Sequence, residues 1–583
     1  MRDFIFEQSV ACSKVVRRGK NRLMLLLCGL LFISQLTGIS FVHAAEYAVF
    51  MEKGSVITEI MSPEADDPSA GRAIRWRQVS LSPAVVETGL LNKGDMIKLD
   101  LFDDRVYSAI VDRVVKNING TFTVRARVNG HPMGYLLIST TCDSSLGLIH
   151  IPEITEKYLI IDDPGLNRHY LLELDAGKMD EPEGGPSLTA PSPPPEELES
   201  DLINKQIETA ELGPLDHALI DIMIVYTPAA LSSAGNLEII QNRIAQSMEI
   251  AQLTLDNSAV YISLNLIHSA QVDYVESGSS EMDLRRLAYR KGNYYDPVGY
   301  MDEALDWRDT YGADLVSLFA LVNDVSGRGF LLQDKHGDPI NGFNLNSIIW
   351  AGIGYTFIHE IGHNMGLHHH WEQNTSPGPT QWFNWPENKW SAGWRWVEAD
   401  EKRYCSIMTY GGGVYYTDGQ NHSRVPLISN PGINHNGTPS GHPEHGDNAR
   451  TLREMKHIIA AYRTRVLPEG EIVAWGSNDH GQCNVPEPNE GFVFVDCGQF
   501  HSVGLKKDGS IVAWGSNLNG ETDVPEPNSG FVAVSAGLEH NLGLKYDGSI
   551  VAWGINSFSE CNVPEPNSGF VAVSAGTQLS LGL

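Results

Sequence analysis

Cysteine is scarce in this chain. Seven occur in 583 residues, and two of them, Cys12 and Cys28, sit close to the N-terminus. The other five are odd in number and widely spaced, which excludes a disulfide framework. Cys405 stands alone between residues 216 and 466, so no disulfide can close within that region, and it reads as a small buried residue. Basic side chains are also few: 42 against 72 acidic ones, a formal net charge of −30. Such a surface repels nucleic acid and anionic lipid. Beyond the N-terminal segment no apolar run approaches membrane-spanning length. Stability must therefore come from hydrophobic cores and metal ions, and 583 residues with 42% hydrophobic content imply several domains.

Four segments differ in composition. Arg17, Arg18, Lys20 and Arg22 precede an apolar run from Leu23 to Ile33, and Val42-His43-Ala44 offers small residues for cleavage. Residues 1–44 thus read as a secretory signal peptide, which predicts a secreted, periplasmic or cell-surface protein with no stable membrane insertion after cleavage. A membrane anchor is the alternative, but the run is short for a bilayer. Residues 45–180 carry hairpin signals. Asn119-Gly120 and Asn129-Gly130 bracket a run in which Phe122, Val124, Ala126 and Val128 alternate with Thr123, Arg125 and Arg127. The pattern predicts a small antiparallel β domain with one wet face. Residues 181–215, with Pro193-Pro194-Pro195, lack the apolar content to fold and read as an extended linker open to proteolysis.

The chemistry is concentrated at His359-Glu360-Ile361-Gly362-His363-Asn364-Met365-Gly366-Leu367-His368-His369, which contains H-E-x-x-H-x-x-G-x-x-H in full. On a helix, His359 and His363 project from one face and can share one zinc ion. Glu360 can act as general base toward a water at that ion. Gly366 can end the helix, because glycine accepts the left-handed conformation of a sharp turn. His369 can then swing back as the third ligand, leaving a fourth position open, as catalytic rather than structural sites do. His368 and His370 flank the third ligand, and the spacing favours His369. Calcium has no clean loop motif.

Downstream, Cys405-Ser406-Ile407-Met408-Thr409-Tyr410-Gly411 resembles the Met-turn of the metzincin metallopeptidases, with Met408 placed 39 residues after His369. The resemblance implies that Met408 floors the zinc histidines without binding metal. It also implies that Tyr410 can ligate zinc or stabilise the oxyanion, as in astacin-like and serralysin-like members; a core tyrosine is the alternative. Asp221 to Pro228, Val260 to Ile267 and Ala313 to Phe319 read as strands and Leu237 to Leu255 as a helix. A polar, glycine-rich stretch leads toward the zinc helix, and Asp447 is a fair N-cap for a last helix. Residues 216–466 are therefore similar to bacterial reprolysin-like, M12-type peptidases. The fold expected is an α/β metzincin domain, a mixed twisted sheet with long helices. By the same resemblance, residues 45–180 take the place of a prodomain that covers the zinc site until export. Cys142 as a thiolate cap on zinc does not fit the usual cysteine-switch context. Five tryptophans from Trp382 to Trp396 read as a covering loop.

Residues 467–583 repeat. Ile-Val-Ala-Trp-Gly recurs at Trp475, Trp514 and Trp553 with a period of 39, and Val-Pro-Glu-Pro-Asn recurs from Val485, Val524 and Val563. The repeat resembles RCC1-like propeller units, which implies a scaffold for a protein ligand. Three units do not close a ring, so an incomplete propeller is expected. The function this predicts is a secreted zinc endopeptidase acting on protein or peptide substrates and made as a zymogen. The alternative is a self-processing surface or binding protein whose repeats capture a partner.

Overall fold

The computed structural model describes residues 46–57, 72–86, 90–141, 144–163, 168–175, 188, 216–379, 388–463, 471–570 and 572–583. The expected signal peptide, Cys142, Trp382, Trp385 and nearly all of the linker lie outside these residues.

The N-terminal region is a single ten-stranded sheet: β1 (Glu46–Ala48), β2 (Phe50–Ile57), β3 (Ala73–Leu81), β4 (Met96–Phe102), β5 (Arg105–Lys116), β6 (Phe122–Val128), β7 (Tyr135–Thr140), β8 (Ser145–Ile151), β9 (Glu156–Asp163) and β10 (Arg168–Leu174). The order is β1-β4-β5-β6-β7-β8-β9-β10-β3-β2, so most neighbours are sequential hairpins. Gly120 (φ +84°) and Gly130 (φ +79°) make the turns that bracket β6. The strands alternate between two cores. Leu136, Ile138, Ile149 and Ile160 face a cluster private to this sheet. Tyr135, Leu137, Leu146, Leu148 and Leu159 face the next domain instead.

That next domain has a sheet of order β12-β11-β13-β15-β14, built from β11 (Ala218–Tyr226), β12 (Ile262–Gln271), β13 (Leu315–Ala320), β14 (Gly327–Gly329) and β15 (Phe343–Ser347). All pairs are parallel except β14 on β15, which makes β14 an antiparallel edge. Helix α1 (Leu237–Asn257) lies on one face with α4 (Thr356–Asn364), while α2 (Ser280–Ala288) and α3 (Asp302–Tyr311) cover the other. Helix α5 (Asn448–Ile459) closes the domain, and the Asp447 side chain caps it by accepting from Arg450 N at 2.9 Å.

The expected wet face of β6 is dry. Thr123 and Arg125 are 1% and 4% exposed because α1 packs across β6, β7 and β8. As a result α1 is buried on both sides, with every residue from Ile240 to Leu255 shielded. The periodicity of β6 is as expected; its polar positions face a second domain rather than water.

The C-terminal units form three-stranded sheets at Phe492–Cys497, His501–Lys506, Ile511–Gly515 and at Phe531–Ala536, His540–Lys545, Ile550–Gly554, followed by a strand pair at Val573–Ala575 and Ser580–Gly582. Each tryptophan reaches back one unit: Trp514 Nε1 donates to Gln482 O at 2.9 Å and Trp553 Nε1 to Glu521 O at 3.0 Å. Trp475, expected in a strand, lies outside any and is 85% exposed. A strand needs paired neighbours, and none of the described strands pairs with its segment.

Candidate metal centre

Helix α4 places His359 and His363 one turn apart and buries both, at 3% and 1% exposure. The helix ends at Asn364, and Gly366 (φ +87°) reverses the chain so that His369 returns to the same point. His369 Nε2 lies 3.0 Å from His359 Nε2 and 3.0 Å from His363 Nε2. Each ring is pinned at its other nitrogen by a backbone carbonyl: His359 Nδ1 to Ile407 O (3.1 Å), His363 Nδ1 to Leu367 O (2.8 Å) and His369 Nδ1 to Ser376 O (2.8 Å). A carbonyl only accepts, so each Nδ1 carries the proton and each Nε2 is left with a lone pair. Three lone pairs converging in a buried space repel one another unless a cation sits between them. Tetrahedral zinc with bonds of about 2.0–2.1 Å sets its nitrogens about 3.3 Å apart, close to the spacing here. Burial, ahead of every other cause, drives His359 and His363 well below the usual imidazole range and His369 down to about 4. All three are therefore neutral, as ligands must be. The residues present fit a zinc ion, and among the described residues they are the group that could hold a metal.

The neighbouring histidines are engaged elsewhere. His370 Nδ1 accepts from Glu372 N at 3.1 Å, and its ring packs on Trp394 and Tyr416. His368 is 7% exposed, and its backbone N–H donates to Asn448 Oδ1 at 3.3 Å. Met408 lies directly beneath α4: a Cβ added at Gly362 would come 2.8 Å from Met408 Sδ. Gly362 is thus the position that lets the Met-turn approach the histidines. The Tyr410 ring stands 4.8 Å from that of His369 and 6.1 Å from that of His359. Cys405 is buried and forms no disulfide among the described residues; its Sγ lies 3.9 Å from Thr409 O and 3.7 Å from His422 O.

Glu360 is fully buried, and neither carboxylate oxygen has a hydrogen-bond partner among the described residues. Burial raises its pKa well above the carboxylate range, while Arg328 and Arg424 pull it back. The edge strand β14 passes against it. A Cβ at Gly327 would lie 2.7 Å from Glu360 Cγ, and one at Gly329 would lie 2.8 Å from Glu360 O. The Gly-Arg-Gly of β14 is the part of the site that the sequence did not single out. Its two glycines one residue apart, just ahead of the zinc helix, were the available signal. Leu188 of the linker is added to this strand in a parallel bridge with Phe330. Its N–H donates to Gly329 O (3.0 Å) and its carbonyl accepts from Leu331 N (2.8 Å).

Residues 216–421 match metallopeptidase family M12, and residues 492–521 and 531–560 match the regulator of chromosome condensation (RCC1) repeat. The chain carries an M12 metallopeptidase domain. A protein of Pseudomonas aeruginosa named peptidyl-Asp metalloendopeptidase is 30% identical over 269 residues, which is 43% of this chain and 41% of that protein. A protein of the same name from Stenotrophomonas maltophilia is 30% identical over 301 residues, 51% of this chain and 64% of the relative. The chain thus spans less than two thirds of the length of these relatives. The solved complex of Kap60 with yeast RCC1 overlaps 20% of this chain and 37% of that one, at 20% identity and a TM-score of 0.17, too little to carry an argument. Among the described residues, no helix is long and apolar enough to cross a membrane.

Proposed function

We propose that this protein is a secreted zinc-dependent endopeptidase, made as an inactive precursor, that cleaves protein chains beside aspartate. The observation that carries the reading is the set of three neutral imidazoles whose Nε2 lone pairs meet at one point beside an unsatisfied carboxylate. One zinc ion held by His359, His363 and His369 would supply Lewis acidity toward the scissile carbonyl and make water a nucleophile near neutral pH. Glu360 takes a proton from the attacking water and delivers it to the departing amine. Its two carboxylate oxygens, without a hydrogen-bond partner among the described residues, are placed to make that transfer. Tyr410 hydrogen-bonds the developing oxyanion, a role its ring position beside His369 allows. Substrate binds as an extended strand along β14, whose open edge offers backbone hydrogen bonds. The name of the relatives supports aspartate as the side chain recognised.

Leu188 supports the precursor reading. It makes, on β14, the two backbone hydrogen bonds that a substrate strand would need. Cutting the linker between 181 and 215 frees that edge, and the repeats are left to bind a protein ligand.

The test is casein hydrolysis by wild type and Glu360→Ala, each activated by nicking in the linker, with zinc measured on both. A loss of about 10²- to 10⁴-fold in rate with zinc kept near one per chain is expected. Wild type that holds zinc and cleaves nothing after nicking would overturn the peptidase reading in favour of partner binding.

A further inference from the structure

His369 and Tyr410 come from separate stretches of the chain, so their alignment depends on what joins the two. The stretch after His369 folds back on itself. Ser376 takes a left-handed backbone (φ +49°), and its carbonyl accepts from His369 Nδ1 at 2.8 Å. At its start the loop is held by Asn448, whose Oδ1 accepts from His368 N at 3.3 Å and whose Nδ2 donates to His368 O at 3.0 Å. Inside the loop lies Gln373, 2% exposed. A buried carboxamide must satisfy its own N–H and C=O groups, which makes it a stiff link between the segments it touches. Gln373 Nε2 donates to Thr375 O, beside Ser376, at 2.8 Å. Its Oε1 accepts from the backbone N–H of Tyr410 at 3.2 Å and from Tyr416 Oη at 3.3 Å, one bond for each lone pair. Tyr410 belongs to no strand, so its N–H is met by this side chain rather than by a ladder. Asn374 adds two bonds to the same arm, from its N–H to Tyr415 O at 2.9 Å and from its Nδ2 to Val414 O at 3.0 Å. The loop that orients His369 is therefore the loop that seats Tyr410, whose ring packs 4.8 Å from that of His369 and 5.0 Å from that of Tyr415.

We propose that Gln373 is the positioning residue that locks Tyr410 to the His369 loop, so that the tyrosine hydroxyl and the metal meet the same substrate carbonyl. The assignment rests on the peptidase reading above, in which Tyr410 hydrogen-bonds the oxyanion, and adds the residue that places it. Gln373 acts through Tyr410 and not on the substrate. A shift of that backbone moves the hydroxyl away from the charge it must meet in the transition state.

The experiment uses the full chain, nicked in the linker, and one casein peptide that the wild type cleaves. Gln373→Met, close in size and without hydrogen-bonding groups, is made twice: with Tyr410 in place and in a Tyr410→Phe background. Tyr410→Phe alone is expected to lower kcat by about 100-fold. Gln373→Met is expected to lower kcat about 10-fold, with KM within about twofold and zinc kept near one per chain. In the Tyr410→Phe background the same change should cost less than about twofold, because the group it positions is gone. Gln373→Glu keeps the two acceptors and loses the donor to Thr375 O, so it retains part of the wild-type kcat. Where Gln373→Met loses zinc, Gln373→Glu is put through the same comparison. Loss of zinc from both overturns the assignment, because Gln373 then serves the fold. A Gln373 variant as active as wild type, or one that costs the same with and without the Tyr410 hydroxyl, overturns the assignment alone. Tyr410→Phe with the wild-type kcat, or a wild type that cleaves nothing, overturns the reading of the site and the assignment together.

Discussion

The β domain and the C-terminal repeats both flank the M12 domain, but they are held by different physics. One hydrophobic cluster runs without interruption from Tyr135, Leu137 and Leu148 of the β domain through Ile244 and Met248 of α1 to Phe357 and Ile361 of the zinc helix. The repeat clusters draw only on residues from 493 onward and stay small. Each cluster joins only neighbouring repeats, and polar bonds link the same neighbours, among them His501 Nε2 with Asn541 Oδ1 at 2.9 Å and His540 Nε2 with Ser580 Oγ at 3.0 Å. A shared core makes two domains one cooperative unit, whereas nearest-neighbour stacking sums local stabilities. The β domain therefore shares its inner face with the core of the M12 domain.

The sharpest way to break this contrast is deletion. Removing residues 45–180 exposes the outer face of α1 to water, and the expected product is insoluble or free of zinc. Removing residues 467–583 leaves zinc content and the main melting transition unchanged. Nicking the linker alone leaves the two pieces eluting together in size-exclusion chromatography. A stable, zinc-loaded 216–466 fragment would show that the shared core is dispensable.

A smaller effect isolates the polar part of the same interface. Arg125 Nε meets Asp112 at 2.9 Å, and its terminal nitrogens lie 2.7 Å from Asp256 and 3.7 Å from Glu249. Arg113 supports Glu249 from the other side at 3.2 Å. Burial raises the Glu249 pKa, and the two arginines counter it. Arg125→Ala removes the shared partner of Asp112, Asp256 and buried Glu249, leaves Glu249 only Arg113, and should cost about 3–5 kcal/mol in chemical denaturation. By contrast, removing the exposed Arg450–Glu454 pair on α5 should cost about 0.5 kcal/mol or less. Equal costs would mean that the interface is wet after all.

The same contrast explains how far the sequence could be read. The convergence of His359, His363 and His369 and the places of Glu360, Met408 and the turn at Gly366 were legible because they depend on local spacing, which one helix and one turn convert directly into geometry. The strands Ala218–Tyr226 and Leu315–Ala320 and helix Leu237–Asn257 were legible from apolar periodicity, within a few residues at their ends. Thr123 and Arg125 were misread as solvated because alternation reports only that one face is polar; whether water or Glu249 meets it is decided by a distant segment. β14 has three residues, too short for any period, and its glycines declare themselves only once Glu360 is seen against them. Trp475 shows the converse: an identical pentapeptide forms a strand at Trp514 and Trp553 and none at Trp475, because neighbours make the strand.

The finest test of the shared core is a single imidazole. His150 on β8 is half-buried between the two domains, with Tyr135 Oη at 3.5 Å and Tyr355 Oη, at the start of helix α4, at 3.1 Å. Burial first, and the positive charge of Lys157 second, hold its pKa well below 6.5. The unfolded chain takes up a proton near 6.5 and the folded chain does not. Stability is therefore fully present above 6.5 and drains away as the pH falls below it, by at most about 1.4 kcal/mol per pH unit for one proton. Denaturation midpoints of the wild type should drop between pH 7.5 and 5.5, and His150→Gln, which has nothing to titrate, should lose part of that drop. Because the imidazole bridges β8 and the zinc helix, the wild-type drop should appear together in zinc retention and in the β-domain signal. A pH response unchanged by His150→Gln would place the acid sensitivity elsewhere, and one confined to the β domain would mean that the two domains open separately.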